Sequence, residues 1–262
     1  MHCVRMDCPD DWPVCNVYTL SDLHIGDPHA NMTLIYRRIE EIVNDPYGVV
    51  VLNGDLMNTA TRGGVSDVYG EKLSPMQQID ELCTLLRPIA GKIAGATAGN
   101  HEQRAYRDDG IDITRLVCRE LGVEERYSTD GLIVFLRFGK KEGHGRHKNR
   151  DSKQWYTLYV THGSGGGRKE GAKAIRLADM ASICDCDCYI HGHTHLPMIM
   201  KQRYYRTSPG NSSVQCIERL FVNTGATLEY GGYGQAKEFK PASMASPIIT
   251  LEAARKHATA RM

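Results

Sequence analysis

The chain has no apolar run long enough for a membrane span. Its longest, Val49-Val50-Val51-Leu52, is far short of the roughly 20 residues a bilayer requires. The first thirteen residues carry Asp7, Asp10 and Asp11 and no apolar h-region, so they do not read as a secretory signal. An excess of one charge sign is missing too: 32 Lys and Arg stand against 31 Asp and Glu, a net charge of +1. That balance excludes a general nucleic-acid binder of uniformly basic character, although it hides local asymmetry. The nine cysteines are odd in number and lack the spacing of a small disulfide scaffold. Without an export signal they are expected as reduced thiols in a cytoplasmic protein. Internal repeats and low-complexity linkers are absent as well, so a single domain over residues 1–262, with its core in 14–251, is expected.

What is present is an ordinary globular composition, 41% hydrophobic and 24% charged. A chain of 262 residues buries a full core without disulfides or a structural metal, which leaves any metal site free for chemistry. Short apolar runs predict strands at 14–20, 49–52, 92–98, 132–138, 155–161, 188–190, 198–206, 214–222 and 247–251. Helical periodicity predicts helices at 32–43, 75–86, 111–121 and 172–183. The order fits an α/β domain with helices packed outside a sheet core. Cys184, Cys186 and Cys188 are two residues apart, which on a strand would place three small buried thiols on one face. A zinc cluster is the less favoured reading of that run. Residues 230–234, Tyr-Gly-Gly-Tyr-Gly, read as a mobile loop.

Five strand ends deliver polar residues: Asp22-Leu23-His24, Gly54-Asp55, Gly99-Asn100-His101-Glu102, Thr161-His162-Gly163 and Gly192-His193-Thr194-His195. In α/β sheets, ligand sites gather beyond the carboxyl ends of strands, where such loops converge. Carboxylate and imidazole together suit Mn²⁺, Fe²⁺ or Zn²⁺, whereas an all-oxygen set suits Mg²⁺ or Ca²⁺. A carboxylate has two oxygens and a charge that screens cation repulsion, so it is able to bridge two ions.

Each piece is common alone; the ordered set closely resembles the motif series of the calcineurin-like metallophosphoesterases. The resemblance implies a four-layer αββα sandwich of two mixed β-sheets flanked by helices, and two divalent cations, Mn²⁺ first and Fe²⁺, Zn²⁺, Ni²⁺ or Mg²⁺ as alternatives. It implies that Asp22, His24, Asp55 and His195 hold one ion, and that Asp55, Asn100, His162 and His193 hold the other. His101 would contact the scissile phosphate and protonate the leaving oxygen, with Asn100 beside it. In several branches an Asp three residues after the bridging Asp orients that histidine. Asn58 stands there, an amide that accepts an imidazole N–H without stabilising imidazolium. The stretch Gly54-Asp55-Leu56-Met57-Asn58-Thr59-Ala60 also lacks the pattern of Ser/Thr protein phosphatases. Ser21-Asp22-Leu23-His24-Ile25-Gly26 looks more like prokaryotic and phage phosphodiesterases and DNA-repair-type nucleases.

Substrate clues are thinner. Gly163 to Lys169, with Arg168, follows a ligand histidine and precedes a helix, so Gly163 and Arg168 are candidate phosphate contacts; a solvated connection is the alternative. Lys140, Lys141, Arg146, Lys148, Arg150 and Lys153 outnumber Glu142 and Asp151, a solvated hairpin tip or a phosphate-tracking strip without interleaved aromatics. Arg62, Arg104, Tyr106 and Arg107 read as surface, and His191 as a strand residue behind the site. The expected activity is hydrolysis of a phosphodiester in DNA or a nucleotide, with no membrane partner. A small-molecule phosphomonoesterase, a non-catalytic interaction scaffold and a zinc-dependent structural module remain as alternatives.

Overall fold

The computed structural model describes residues 1–61, 67–140, 153–165, 167 and 169–262. In chain order the elements are β1 (His2–Asp7), β2 (Val14–Leu20), α1 (Met32–Asn44), β3 (Gly48–Asn53), α2 (Pro75–Leu86), β4 (Ile93–Thr97), α3 (Glu102–Asp109), α4 (Ile113–Glu120), β5 (Tyr127–Ser128), β6 (Gly131–Phe138), β7 (Gln154–Thr161), α5 (Glu170–Ile183), β8 (Cys188–His191), β9 (Met198–Ser208), β10 (Ser213–Asn223), α6 (Gly232–Ala236), β11 (Ile248–Glu252) and β12 (Ala258–Arg261). They form two six-stranded sheets, ordered β12-β11-β2-β3-β4-β5 and β1-β6-β7-β8-β10-β9. In the first, β2, β3, β4 and β5 run parallel and β11 lies antiparallel to β2. The second mixes parallel pairs, β7 with β8 and β8 with β10, and antiparallel ones, β6 with β7 and β9 with β10.

Side-chain alternation explains the layering. Val17, Val49 and Val51 face Leu132, Val134, Leu158, Val160 and Ile190 in a core between the sheets. Their neighbours Tyr18, Leu20, Val50 and Leu52 point the other way, onto Ile35, Ile39 and Ile42 of α1 and Leu82 and Leu86 of α2. Strand β3 is buried along its length because both faces are covered, which is why its sequence reads as an unbroken apolar run. On the outer face of the second sheet, Tyr159, Tyr189 and Phe221 pack against Leu177 and Met180 of α5. The result is the αββα sandwich of two mixed sheets. Burying each Val, Leu or Ile of these layers contributes about 1.5–3 kcal/mol.

Local signals place the helices. The Asn31 side chain accepts the Leu34 N–H to start α1, and Ser74 and Gln77 form a capping box ahead of Pro75 on α2. Asp112 caps α4, two residues inside the expected start. Elements β1, β5, α3, α6 and β12 were not expected. Strand β1 is an edge with only Val4 buried, so its polar residues hide the alternation, and α6 overlaps the stretch read as a loop and runs two residues past it.

The cysteine run is a correction. Cys184 ends α5, Cys186 lies in the following turn and only Cys188 is on a strand. Cys186 joins the outer core and Cys188 the core between the sheets, so the three thiols do not share a face. No helix among the described residues is long and apolar enough to cross a membrane.

Candidate metal centre

The loops after β2, β3 and β4 meet those after β7, β8 and β10 along one rim. Backbone contacts stitch them together: Asp22 N–H donates to Gly54 O (3.0 Å), His24 N–H to Asp55 O (3.0 Å), Gly192 N–H to His162 O (3.0 Å) and Thr227 N–H to Asp22 O (3.0 Å). The turns are tight. Asp22, His24, Asp55, His193 and His195 all adopt left-handed backbone, with φ between 49° and 62°. Such conformations cost of order 1–3 kcal/mol each in non-glycine residues and cluster where function demands them. Close approach also explains Gly99: a Cβ there would sit 2.1 Å from Asp55 Oδ1.

Three donor groups result, each with its ligand atoms within 4.8 Å: Asp22, His24 and His195; His24, Asp55 and His101; Asp55, His162 and His193. They share His24 and Asp55, so they form one continuous cluster. His195 Nε2 is 3.1 Å from Asp22 Oδ1 and 3.4 Å from His24 Nε2. His162 Nε2 is 3.2 Å from Asp55 Oδ2 and 3.3 Å from Asn100 Oδ1, while His193 Nδ1 lies 2.7 Å from Asn100 Oδ1. The donor set of two carboxylates, one amide oxygen and four imidazoles is that of a transition-metal pair. His24 Nδ1 is buried without a hydrogen-bond partner among the described residues, and two ring nitrogens facing at 3.4 Å need a proton or cation between them. The residues present therefore fit a pair of divalent ions.

Electrostatics agree. Burial alone would raise the Asp55 carboxyl, but the His162, His101 and His24 imidazoles hold it well below the usual range. Burial opposes ionisation of Asp22 as well, and His195 outweighs it, leaving Asp22 at about 2. Burial would lower His162, yet Asp55 pushes it up to about 10. His24 and His193 are driven down by burial and by neighbouring imidazoles. The rings are aimed from behind: His162 Nδ1 lies 2.7 Å from Asn53 O, which leaves Nε2 toward Asp55.

The structure thus brings Asp22, His24, Asp55, Asn100, His101, His162, His193 and His195 together. Asn58 contributes differently from the expectation. His101 Nδ1 is 2.7 Å from the Asn58 backbone carbonyl, and the Asn58 amide is turned away to donate to Glu71 Oε1 at 2.7 Å. Gly163 is needed for packing, because a Cβ there would lie 2.0 Å from His191 Nε2. His191 itself sits behind the site, its Nδ1 2.8 Å from Asn223 Oδ1. Arg62, Arg168 and the basic residues from Lys141 to Arg150 lie outside the described residues. Arg104 is a correction: expected at the surface, it is 7% exposed, with Nη2 3.1 Å from His101 Nε2. Tyr106 is exposed, as expected.

Other residues brace the turns, and of these only Glu102 belongs to a motif, as the last residue of Gly99-Asn100-His101-Glu102. Glu102 Oε2 accepts the Asp55 and Gly99 N–H groups (3.0 and 2.8 Å), and Oε1 accepts that of Met57 (2.9 Å). Burial, then the charge of Asp55, pushes its carboxyl up to about 7. Ser21 Oγ and Thr224 Oγ1 donate to Asp22 Oδ2 at 2.5 and 3.2 Å. Thr224 follows β10 and is 202 residues from Asp22, so no local signal announces it.

No curated protein matches the chain. Among solved structures it is similar to a predicted phosphoesterase from Streptococcus pneumoniae, at 12% identity and TM-score 0.38 over 95% of this chain and 97% of that one. It is similar also to Vacuolar Protein Sorting 29 from Cryptosporidium parvum, at 13% identity and TM-score 0.44 over 95% and 97%. GAP50, described as the anchor in the inner membrane complex of Plasmodium, shares 10% identity at TM-score 0.45 over 94% and 83%. The Asp, Asn and His residues of the rim fall within residues 22–197, the span that matches the sequence model of the calcineurin-like phosphoesterases, and the chain belongs to that family.

Proposed function

We propose that the chain is a dinuclear metal-dependent phosphodiesterase. The observation that carries this reading is the continuous donor cluster, in which Asp55 and His24 are shared between adjacent groups. Asp22, His24, Asp55 and His195 would hold one cation and Asp55, Asn100, His162 and His193 the other, with Mn²⁺ favoured by the mixed oxygen and nitrogen donors. Such a pair, when bound, supplies an activated water and neutralises charge on the phosphate.

The chain's own groups supply the rest. Asp55 Oδ1 accepts the His101 backbone N–H at 2.8 Å, which fixes the carboxylate while Oδ2 faces His162. His101 Nδ1 donates to the Asn58 carbonyl and Nε2 accepts from Arg104 Nη2 at 3.1 Å, so Nε2 would carry a proton to the leaving oxygen once that guanidinium turns to a phosphate oxygen. Arg104 brings a fixed positive charge beside that nitrogen, suited to a phosphate oxygen. Burial lowers the His101 pKa, which favours release of the proton once it is bound there.

The test strips the metal, restores Mn²⁺, Mg²⁺, Zn²⁺ or Ni²⁺ singly, and compares bis-p-nitrophenyl phosphate with p-nitrophenyl phosphate. Metal-restored turnover favouring the diester, lost in Asp55→Asn, is the expected result. Preference for the monoester would replace this reading with a phosphomonoesterase. Two bound ions without turnover on either ester would favour a non-catalytic scaffold.

A further inference from the structure

A cavity of about 700 Å³ lies between α3 and α4. Gln103 and Tyr106 line it from α3, Arg115, Leu116 and Arg119 from α4, and Tyr127 closes its floor. It abuts the metal centre at two points. Ala98 and Glu102 on its wall flank the Asn100 turn, and the Glu102 carboxylate holds the amides of Asp55 and Gly99. At the other lip, Asp130 O accepts the hydroxyl of Thr161 at 3.0 Å, the residue before His162. The cavity therefore opens beside the Asn100 and His162 half of the centre.

We propose that this cavity is a subsite for the nucleoside part of the phosphodiester, with the next phosphate drawn to Arg119 and Arg115. The inference rests on the phosphodiesterase reading and names its substrate class. An apolar floor with a cationic outer edge is what a nucleotide unit requires, since a base is flat and weakly polar while its phosphate is anionic. Leu116 and the Tyr127 ring form the floor, and the Tyr127 hydroxyl is occupied by Asp112 at 2.8 and 2.9 Å. Tyr106, 59% exposed, presents a ring at the edge on which a base stacks. Arg115 and Arg119 are four residues apart on α4 and so share a face. Arg115 pairs with Glu124 at 2.7 Å and Glu120 with Arg87, and Arg119 enters neither pair. Of the three acids on the lining, Glu102 is spent on the Asp55, Met57 and Gly99 amides, Asp112 on Tyr127 and the Arg115 N–H, and Asp130 lies at the end nearer the cations.

The experiment uses the Mn²⁺-loaded full chain and two diesters, bis-p-nitrophenyl phosphate and the 5′-p-nitrophenyl ester of thymidine 3′,5′-bisphosphate, whose 3′-phosphate supplies the group assigned to Arg119. Arg119→Glu and Tyr106→Ala should each lower kcat/KM for the thymidine ester about tenfold relative to bis-p-nitrophenyl phosphate, through KM. In parallel, fluorescence anisotropy with a labelled oligothymidylate should show about tenfold weaker binding for Arg119→Glu, and a salt slope shallower by about 0.7. Displacement of the label by free thymidine 5′-phosphate would assign the subsite to single nucleotides, and displacement by unlabelled strand alone to a residue within a strand. An unmoved substrate ratio with unchanged affinity and slope would overturn the subsite. If the wild type hydrolyses neither diester, the phosphodiesterase reading fails on its own account, and the anisotropy series still decides the cavity.

Discussion

Removing the Glu102 carboxylate should cost the protein a large share of its stability, and the magnitude follows from its contacts. Three loop amides end on this side chain, those of Asp55, Met57 and Gly99, at 2.8–3.0 Å. The residue is 2% exposed, so water does not replace it without opening the loop. Each buried N–H left without an acceptor costs about 1–3 kcal/mol, giving about 3–9 kcal/mol for Glu102→Ala. Whole-domain stabilities are about 5–15 kcal/mol, so the variant should be near its unfolding threshold. Glu102→Gln retains one acceptor oxygen, enough for Met57 alone or for the Asp55 and Gly99 pair, and should lose about half as much. Urea unfolding of the metal-stripped chains, followed by circular dichroism, reads both losses as shifts in midpoint at constant slope. A loss below about 1 kcal/mol for the alanine variant would refute the idea that this carboxylate ties the β3 loop to the β4 loop.

Three further expectations concern the same framework. Glu71→Ala should lower kcat about tenfold or more with KM and metal content little changed. The Glu71 carboxylate takes Asn58 Nδ2, Ala60 N and Gln78 Nε2 and so fixes the carbonyl that aims His101; an unchanged kcat would break that chain. In the metal-stripped protein His162 titrates at about 10, above its unfolded value, so its contribution is complete below about 6.5 and lost as pH rises through about 10. Asp22 at about 2 contributes above its unfolded value of about 3.9, and that is lost as pH falls through about 2. Because cations displace the His162 proton, Mn²⁺ affinity measured by calorimetry should climb with pH across the neutral range; a flat profile would contradict the pairing with Asp55. Native iodoacetamide labelling, read by mass spectrometry, should modify Cys3 and Cys216, which are exposed. Burial pushes Cys118 and Cys186 up to about 12 and Cys188 higher, so modification of Cys188 before unfolding would show that the core between the sheets is open.

The site was legible where chemistry and chain direction coincide. Asp22, Asp55, Asn100, His162 and His193 each follow closely on a strand, and parallel strands carry such ends to one rim, so an ordered motif was enough to gather them. The central strands were legible for a related reason: burial on both faces leaves an apolar run without ambiguity, as in β3. Edge strands such as β1 expose most of their side chains and lose that signal. Contacts made through backbone or across long separations left no trace. Asn58 was judged by its side chain, yet what reaches His101 is its carbonyl, a group every residue has. Arg104 was read as surface because a lone cation on a short helix is usually solvated, and only the fold shows it buried against His101.

The left-handed turns join these two kinds of information. A sequence shows that Asp22, His24, Asp55, His193 and His195 are polar and that Asp55 and His193 follow glycine, but not that all five occupy a backbone region L residues avoid. Glycine would relieve that strain at every one of them, so stability alone would favour glycine there. The side chains are present despite it, and at all five positions they are donors in one cluster. Replacing His24 by glycine should therefore stabilise the metal-stripped protein or leave it nearly unchanged, while weakening Mn²⁺ binding at least tenfold. Thermal unfolding measured with and without Mn²⁺ separates the two effects. A glycine variant as destabilised without metal as with it would show that His24 is held there for packing, and the strain would need another explanation.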